Sequence, residues 1–281
     1  MADDDVLYTI VGSQYGSKVI TALDALGVAY RVVELDPRKL KEATIPPHTA
    51  PQMRWHGEML TDSADILAAV DRDSTGPPFR LYPPAQKAAV QELEAYVGST
   101  LNAFVLYFAW WVDAGYVATY ERKMLEQLLP FWSSVLPLPA SRWVLNLAVD
   151  TGRLRGSYRK KARAILGEEL VPSGRAALPD EAPRLRAALV AAAKALDGRF
   201  ASPAQLWVCG TEDPSAADFA LYGILERLVG TSGDGNVAPA TPWLFGEAQT
   251  ARLQAWHQRM QASHPIVFRG KTAACKAWSK I

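Results

Sequence analysis

The sequence predicts an α+β unit of βαβ–ββα order followed by an all-helical part. Three observations predict it. Strand and helix signals alternate over about the first 80 residues; the prolines Pro77, Pro78, Pro83 and Pro84 then form a linker; and only helical periodicity follows.

Residues 6–11 (VLYTIV) are apolar and β-branched, the composition of a buried strand. Residues 12–16 read as a turn. Residues 17–26 carry Val19, Ile20, Leu23 and Leu26 at helical spacing, and Gly27 closes that helix. Residues 30–35 (YRVVEL) give a second strand, parallel to the first if the helix is the crossover between them. Pro46, Pro47 and Pro51 then break the chain. Residues 52–55 and 58–60 flank His56-Gly57 as a hairpin. Thr61, Asp62 and Ser63 supply an N-cap cluster for a short helix over 64–70.

After the linker, residues 85–124 read as one long helical stretch, broken later by Pro130, Pro137 and Pro139. Residues 153–166, 182–196, 215–229 and 249–260 are further helices. The chain therefore divides into a unit over 1–76 and a helical part over 83–281. It shows no internal repeat and no long low-complexity tract.

Composition narrows the function. The chain has 281 residues, 49% hydrophobic and 21% charged, the balance of a folded protein rather than a disordered one. Thirty basic against 29 acidic residues leave a net charge of +1, without the basic excess of a nucleic-acid binder. Two cysteines, Cys209 and Cys275, exclude a disulfide framework or a Cys-rich zinc module. The longest apolar run, residues 103–112, is about half the roughly 20 residues of a bilayer span. The start, MADDDVLY, is acidic where a targeting leader is basic. The expected location is the cytoplasm, with peripheral membrane contact left open. The two glycines of GSQYGSK stand too close for a phosphate loop. No GxSxG elbow is present, and the four histidines have no metal-ligand spacing.

Several short motifs, in this order, resemble the glutathione transferase superfamily. SQYGSKV (13–19) stands where that family has a catalytic Ser, Cys or Tyr near the first helix. Ala50-Pro51 precedes the hairpin, where the thioredoxin fold keeps a cis-proline. TDSADI (61–66) is similar to the acidic-Ser pair that holds the γ-glutamyl end of glutathione. DPSAAD (213–218) is similar to the capping box of the family's core helix. Within the superfamily the chain is also similar to prostaglandin E synthase type 2-like proteins, membrane-associated relatives with CPFCSKV at this place and an insertion in the helical half. Here Ser13 and Gly16 replace both cysteines and Gln14 replaces the proline, so cysteine chemistry does not carry over.

The resemblance implies a thioredoxin-like domain over 1–76 with a four-stranded mixed sheet. It also implies an enlarged helical-bundle domain over 83–281, with an insertion near 131–180. The implied activity is a glutathione transferase that activates the thiol of glutathione, its co-substrate, for attack on an apolar electrophile. Alternatives on the same fold are a non-catalytic carrier of glutathione, an apolar ligand or haem, and a glutathione-dependent isomerase. The family commonly forms homodimers.

The resemblance implies roles for these residues, which the chemistry of each position allows. Ser13, ahead of a helix N-terminus, either caps that helix or donates its hydroxyl to a sulfur anion, with the helix dipole adding positive potential. Tyr15 is the rival donor. Lys18 reads as a solvated helix residue. Ala50, before a cis Pro51, turns its backbone N–H and C=O toward the peptide part of a ligand. Asp62 pairs with the ligand's α-ammonium and Ser63 donates to its α-carboxylate. Ser215 and Asp218 are structural. Of the aromatics 104–111, most are expected in the core, and Tyr107 and Trp111, spaced i, i+4, line the apolar substrate site. The basic cluster over 153–163 is either a solvated helix face or a membrane-surface patch.

Overall fold

The structure, a computed structural model, describes residues 5–10, 13–35, 40–74, 77–108, 154–171, 181–229, 231–232, 236–237, 241–245 and 248–266. Four strands, β1 (Val6–Thr9), β2 (Arg31–Glu34), β3 (Gln52–Trp55) and β4 (Glu58–Leu60), form one mixed sheet in the order β2-β1-β3-β4. β1 runs parallel to β2 (Val6 opposite Arg31) and antiparallel to β3 (Tyr8 opposite Gln52), and β3 runs antiparallel to β4 (Met53 opposite Leu60). The hairpin joining β3 to β4 turns on His56 and Gly57, at φ of 50° and 88°. Two consecutive left-handed residues are what a two-residue turn between twisted strands requires.

Helix α1 (Gln14–Ala25) crosses from β1 to β2 and begins three residues earlier than the apolar spacing predicts. Gly16 belongs to its first turn rather than to a loop. The reason is steric: a Cβ on Gly16 would lie 2.1 Å from Thr9 Oγ1, so only glycine lets the first turn sit this close to β1. A four-residue helix α2 (Leu40–Ala43), unpredicted, precedes the prolines. Helix α3 (Ser63–Asp73) starts on its expected cap and runs three residues past the predicted end. Leu7, Val19, Leu23, Met53, Ile66, Leu67 and Val70 are fully buried where sheet, α1 and α3 meet.

The linker is pinned at both ends. Asp71 of α3 accepts from the Leu81 N–H (2.6 Å) and from Arg80 (3.2 Å), and the Leu81 carbonyl accepts from the Ala216 N–H (3.0 Å). Helix α4 (Lys87–Tyr96) passes through a π-helical turn, Val97–Leu101, into α5 (Asn102–Tyr107). The later helices are α6 (Leu154–Leu166), α7 (Glu181–Asp197), α8 (Ala216–Val229), α9 (Thr241–Leu244) and α10 (Ala251–Ser263). A small two-stranded ribbon, β5 (Thr231–Ser232) with β6 (Asn236–Val237), follows α8.

Helix α8 is buried along nearly its whole length and packs on α4 and α1. Asp218 is the fixed point of its first turn. One carboxylate oxygen accepts from the Val208 N–H (3.0 Å) and Trp256 Nε1 (2.8 Å), the other from the Ser215 N–H (2.9 Å) and Oγ (2.7 Å). The expected capping box therefore also ties the preceding loop and α10 to α8. Against α1, a Cβ on Gly223 would lie 2.7 Å from the Gln14 carbonyl oxygen, so glycine permits the close docking of α8 beneath the start of α1.

Candidate active site

The strand registers bring three of the predicted positions to one edge of the sheet. β1 ends there and leads into Ser13. β3, antiparallel to β1, begins there, just after Ala50-Pro51. β4, antiparallel to β3, ends there and leads into Asp62 and Ser63. Two helix N-termini, of α1 and α3, therefore share an edge with one exposed stretch of backbone.

Ser13 is half-buried with extended backbone (φ −69°, ψ 124°), and its Oγ accepts from the Gly16 N–H at 3.2 Å. It caps α1, as the local reading expects. Capping uses the oxygen and not the hydroxyl hydrogen, which has no acceptor among the described residues. The cap and the donor role are compatible on one side chain. The first turn of α1 carries no acidic residue, so its N-terminal positive potential is not offset locally.

Tyr15 is placed differently. Its hydroxyl donates to the Gly98 carbonyl in the π-turn (2.6 Å) and accepts from Asn102 Nδ2 (2.7 Å). Gln14 lies in the same seam, donating to Asn102 Oδ1 (2.8 Å) and accepting from Arg227 at 3.4 Å. The start of α1 is thus stitched to the π-turn, α5 and α8 by the two side chains that follow Ser13.

The Ala50–Pro51 peptide bond is cis, as is Pro46–Pro47. Pro51 is buried and Ala50 half-exposed, so the backbone just ahead of β3 is accessible. Gln52 holds this loop from inside: its amide donates to the Ile45 carbonyl (2.7 Å) and accepts from the Ile45 N–H (3.1 Å).

Asp62 is exposed and caps α3, its carboxylate accepting from the Ala64 N–H at 2.7 Å. Ser63 is buried, and its Oγ accepts from Lys18 Nζ at 3.2 Å. Lys18 is therefore not a solvated residue. It is 4% exposed and ion-paired with Glu94 of α4 at 2.6 Å. Its signal is absent from local sequence because its partners stand 45 and 76 residues away.

Of the aromatic pair expected to line an apolar site, Trp111 lies outside the described residues. Tyr107 is 3% exposed and its hydroxyl donates to Glu181 of α7. It packs inside the helical part instead of presenting its ring to a ligand. Burial and the Glu181 carboxylate both push its phenol above the ordinary tyrosine range. Phe104 and Phe108 are buried as core residues, as most of that run was expected to be. A shallow groove elsewhere, along α7, is walled by Ala187, Val190 and Trp243 with Arg186 5.1 Å over the Trp243 ring; it contains none of the residues at the sheet edge.

Cys209 is far from Ser13 in sequence and packs against α4, its Sγ 3.7 Å from the Ala89 carbonyl; burial pushes its thiol up to about 12. Among the described residues no cluster of His, Cys, Asp or Glu is arranged to hold a metal ion, and no helix is long and apolar enough to cross a membrane.

A four-stranded mixed sheet with helix N-termini gathered at one edge, joined to a helical part, is the architecture of a glutathione-transferase-type protein. The family described as glutathione S-transferase, N-terminal domain, matches residues 7–78, and that described as glutathione S-transferase, C-terminal domain, matches residues 179–259. The chain belongs to the glutathione transferase superfamily. No curated protein matches it in sequence. Among solved structures it is similar to rice GST1 in complex with glutathione (12% identity, TM-score 0.58, covering 99% of this chain and 95% of that one). It is also similar to the β-etherase LigF from Sphingobium sp. strain SYK-6 (18%, 0.55, 95% and 97%). A third likeness is a Nilaparvata lugens delta-class glutathione transferase (16%, 0.51, 98% and 97%). At these identities the likeness is one of fold.

Proposed function

We propose that the protein is a glutathione transferase in which Ser13 stabilises the thiolate of bound glutathione for attack on an apolar electrophile. The observation that carries this reading is the Ser13 hydroxyl: its oxygen accepts from the α1 N-terminus, and its hydrogen has no acceptor among the described residues. A sulfur anion placed there meets a hydroxyl donor and the uncompensated end of a helix, both of which favour the charged form. The nucleophile is the substrate's own thiolate, so the protein's work is a pKa shift and positioning.

In this reading residues 1–76 are the glutathione-binding domain. The Ala50 backbone pairs with the cysteinyl part of the tripeptide as a short strand addition. Asp62 takes the α-ammonium, and Ser63 with the α3 N-terminus takes the α-carboxylate. The electrophile binds against the helical part, with Trp111 as the proposed aromatic contact. A cytoplasmic homodimer is the expected assembly. The isomerase alternative rests on cysteines that this chain lacks at positions 13 and 16. For the haem-carrier alternative, no metal-holding cluster of His, Cys, Asp or Glu stands among the described residues.

Calorimetry with glutathione tests the reading. Wild-type protein is expected to saturate within the millimolar range. Asp62→Ala/Ser63→Ala is expected to bind about 2–4 kcal/mol more weakly, from charge-assisted hydrogen bonds of ~1.5–3 kcal/mol each. Absence of saturable heat with wild type would reject glutathione as the ligand.

A further inference from the structure

We infer that Lys18 is a positioning residue for the ligand's α-carboxylate, acting through Ser63 and anchored from the helical part by Glu94. The inference rests on the glutathione-binding reading above.

Lys18 Nζ donates to Ser63 Oγ at 3.2 Å and to Glu94 Oε1 at 2.6 Å, and all three residues are more than nine-tenths buried. A hydroxyl that accepts from an ammonium has one lone pair occupied and its hydrogen turned away from that donor. No acceptor for the Ser63 hydrogen exists among the described residues. Ser63 opens α3, whose first backbone N–H groups have no acceptor within the helix, that of Ala64 being capped by Asp62, and its hydrogen is a further donor at that helix start. Lys18 thus occupies one acceptor lone pair of Ser63 and leaves its hydrogen for donation to a ligand.

Fold stability alone gives no reason for this arrangement. A buried ion pair offers little net stability over apolar residues of the same volume, because both charges lose their water. Glu94 is held further by the Tyr82 hydroxyl, at 2.9 and 3.1 Å to its two oxygens. Tyr82 lies in the linker and Glu94 on α4, while Lys18 lies on α1 and Ser63 on α3. The chain of contacts therefore runs from the helical part into the carboxylate end of the proposed ligand site. The Lys18–Glu94 ion pair between α1 and α4 and the orientation of Ser63 are thereby coupled.

The test compares two ligands on three proteins by calorimetry. The ligands are glutathione and its analogue with the γ-glutamyl α-carboxylate converted to a neutral amide. The proteins are wild type, Lys18→Met, and Lys18→Met/Glu94→Gln. The double variant leaves no unpaired buried charge and keeps the test readable if Lys18→Met alone fails to fold. Losing one charge-assisted contact predicts glutathione binding about 10-fold weaker in the variants, with the amide analogue binding as it does to wild type. Equal weakening of both ligands would make Lys18 merely structural, and unchanged glutathione binding would remove it from the site; either result overturns the inference. Wild-type protein that binds neither ligand would reject the glutathione reading itself, and the inference with it.

Discussion

The Tyr15 hydroxyl donates to the Gly98 carbonyl oxygen at 2.6 Å, joining the first turn of α1 to the π-turn between α4 and α5. A π-turn opens the helix's own bonding, and such turns often sit beside functional positions. Here a phenol from the other part of the molecule uses the carbonyl. Asn102 then donates to the same phenol and accepts from Gln14, so two neighbouring residues of α1 share one anchor.

This geometry makes Tyr15 a support for Ser13. Tyr15→Phe is expected to cost about 1–3 kcal/mol of stability by leaving polar partners unpaired, measured by denaturant unfolding. Its kcat at saturating glutathione should stay near wild type under conditions where the variant is folded. A fully stable Tyr15→Phe protein with conjugation abolished would move the thiolate donor from Ser13 to Tyr15.

Asp218 is more than a cap. A Ser, Thr or Asp cap alone is worth about 0.5–2 kcal/mol. The Asp218 carboxylate accepts four hydrogen bonds in a fully buried setting, and removing it strands donors on Val208, Ser215 and Trp256. Asp218→Ala is therefore expected to lose about 3–5 kcal/mol, read from the urea midpoint at constant slope. Glutathione affinity per folded molecule should not change. Wild-type stability in the variant would mean these bonds contribute nothing net.

Much of this was legible in the sequence, for physical reasons that also mark where legibility stops. β1, β2, the hairpin and α3 follow from alternation, turn chemistry and a local cap, all set within a few residues. Ser13, Ala50-Pro51 and Asp62-Ser63 could be singled out because each motif is contiguous. The same local reasoning misjudged Lys18, since a lysine on a helix is ordinarily solvated and Glu94 is 76 positions away. It also assigned Tyr107 to a ligand surface, where Glu181 of α7 draws its hydroxyl inward. Gly16 read as a turn residue because glycine disfavours helices. Its real constraint is the Thr9 side chain beneath it, which only tertiary packing reveals.

Thiol chemistry should be confined to the bound ligand. Cys209, with its thiol pushed up to about 12 by burial, holds almost no thiolate near pH 8, whereas a free thiol of pKa about 8.5 is substantially ionised there. In a Cys275→Ser background, iodoacetamide should label Cys209 slowly at pH 8, faster as pH rises, and rapidly once the protein is unfolded. The wild type should show little glutathione-dependent disulfide reduction, and Ser13→Cys should create some, because the α1 N-terminus favours a thiolate at that position. Brisk reduction by the wild type would require a reactive protein cysteine, which neither Ser13 nor the high-pKa thiol of Cys209 supplies.

The proposed role of the Ser13 hydroxyl is to hold the thiol of bound glutathione in its ionised form. It is tested most directly by titrating the ultraviolet thiolate absorbance of glutathione bound to wild type and to Ser13→Ala. In the wild type the bound thiol is expected to titrate with a pKa below that of free glutathione. In Ser13→Ala it should rise by about one unit or more, the equivalent of ~1.4 kcal/mol, with glutathione still bound. The same pKa in both proteins, at equal occupancy, would contradict it.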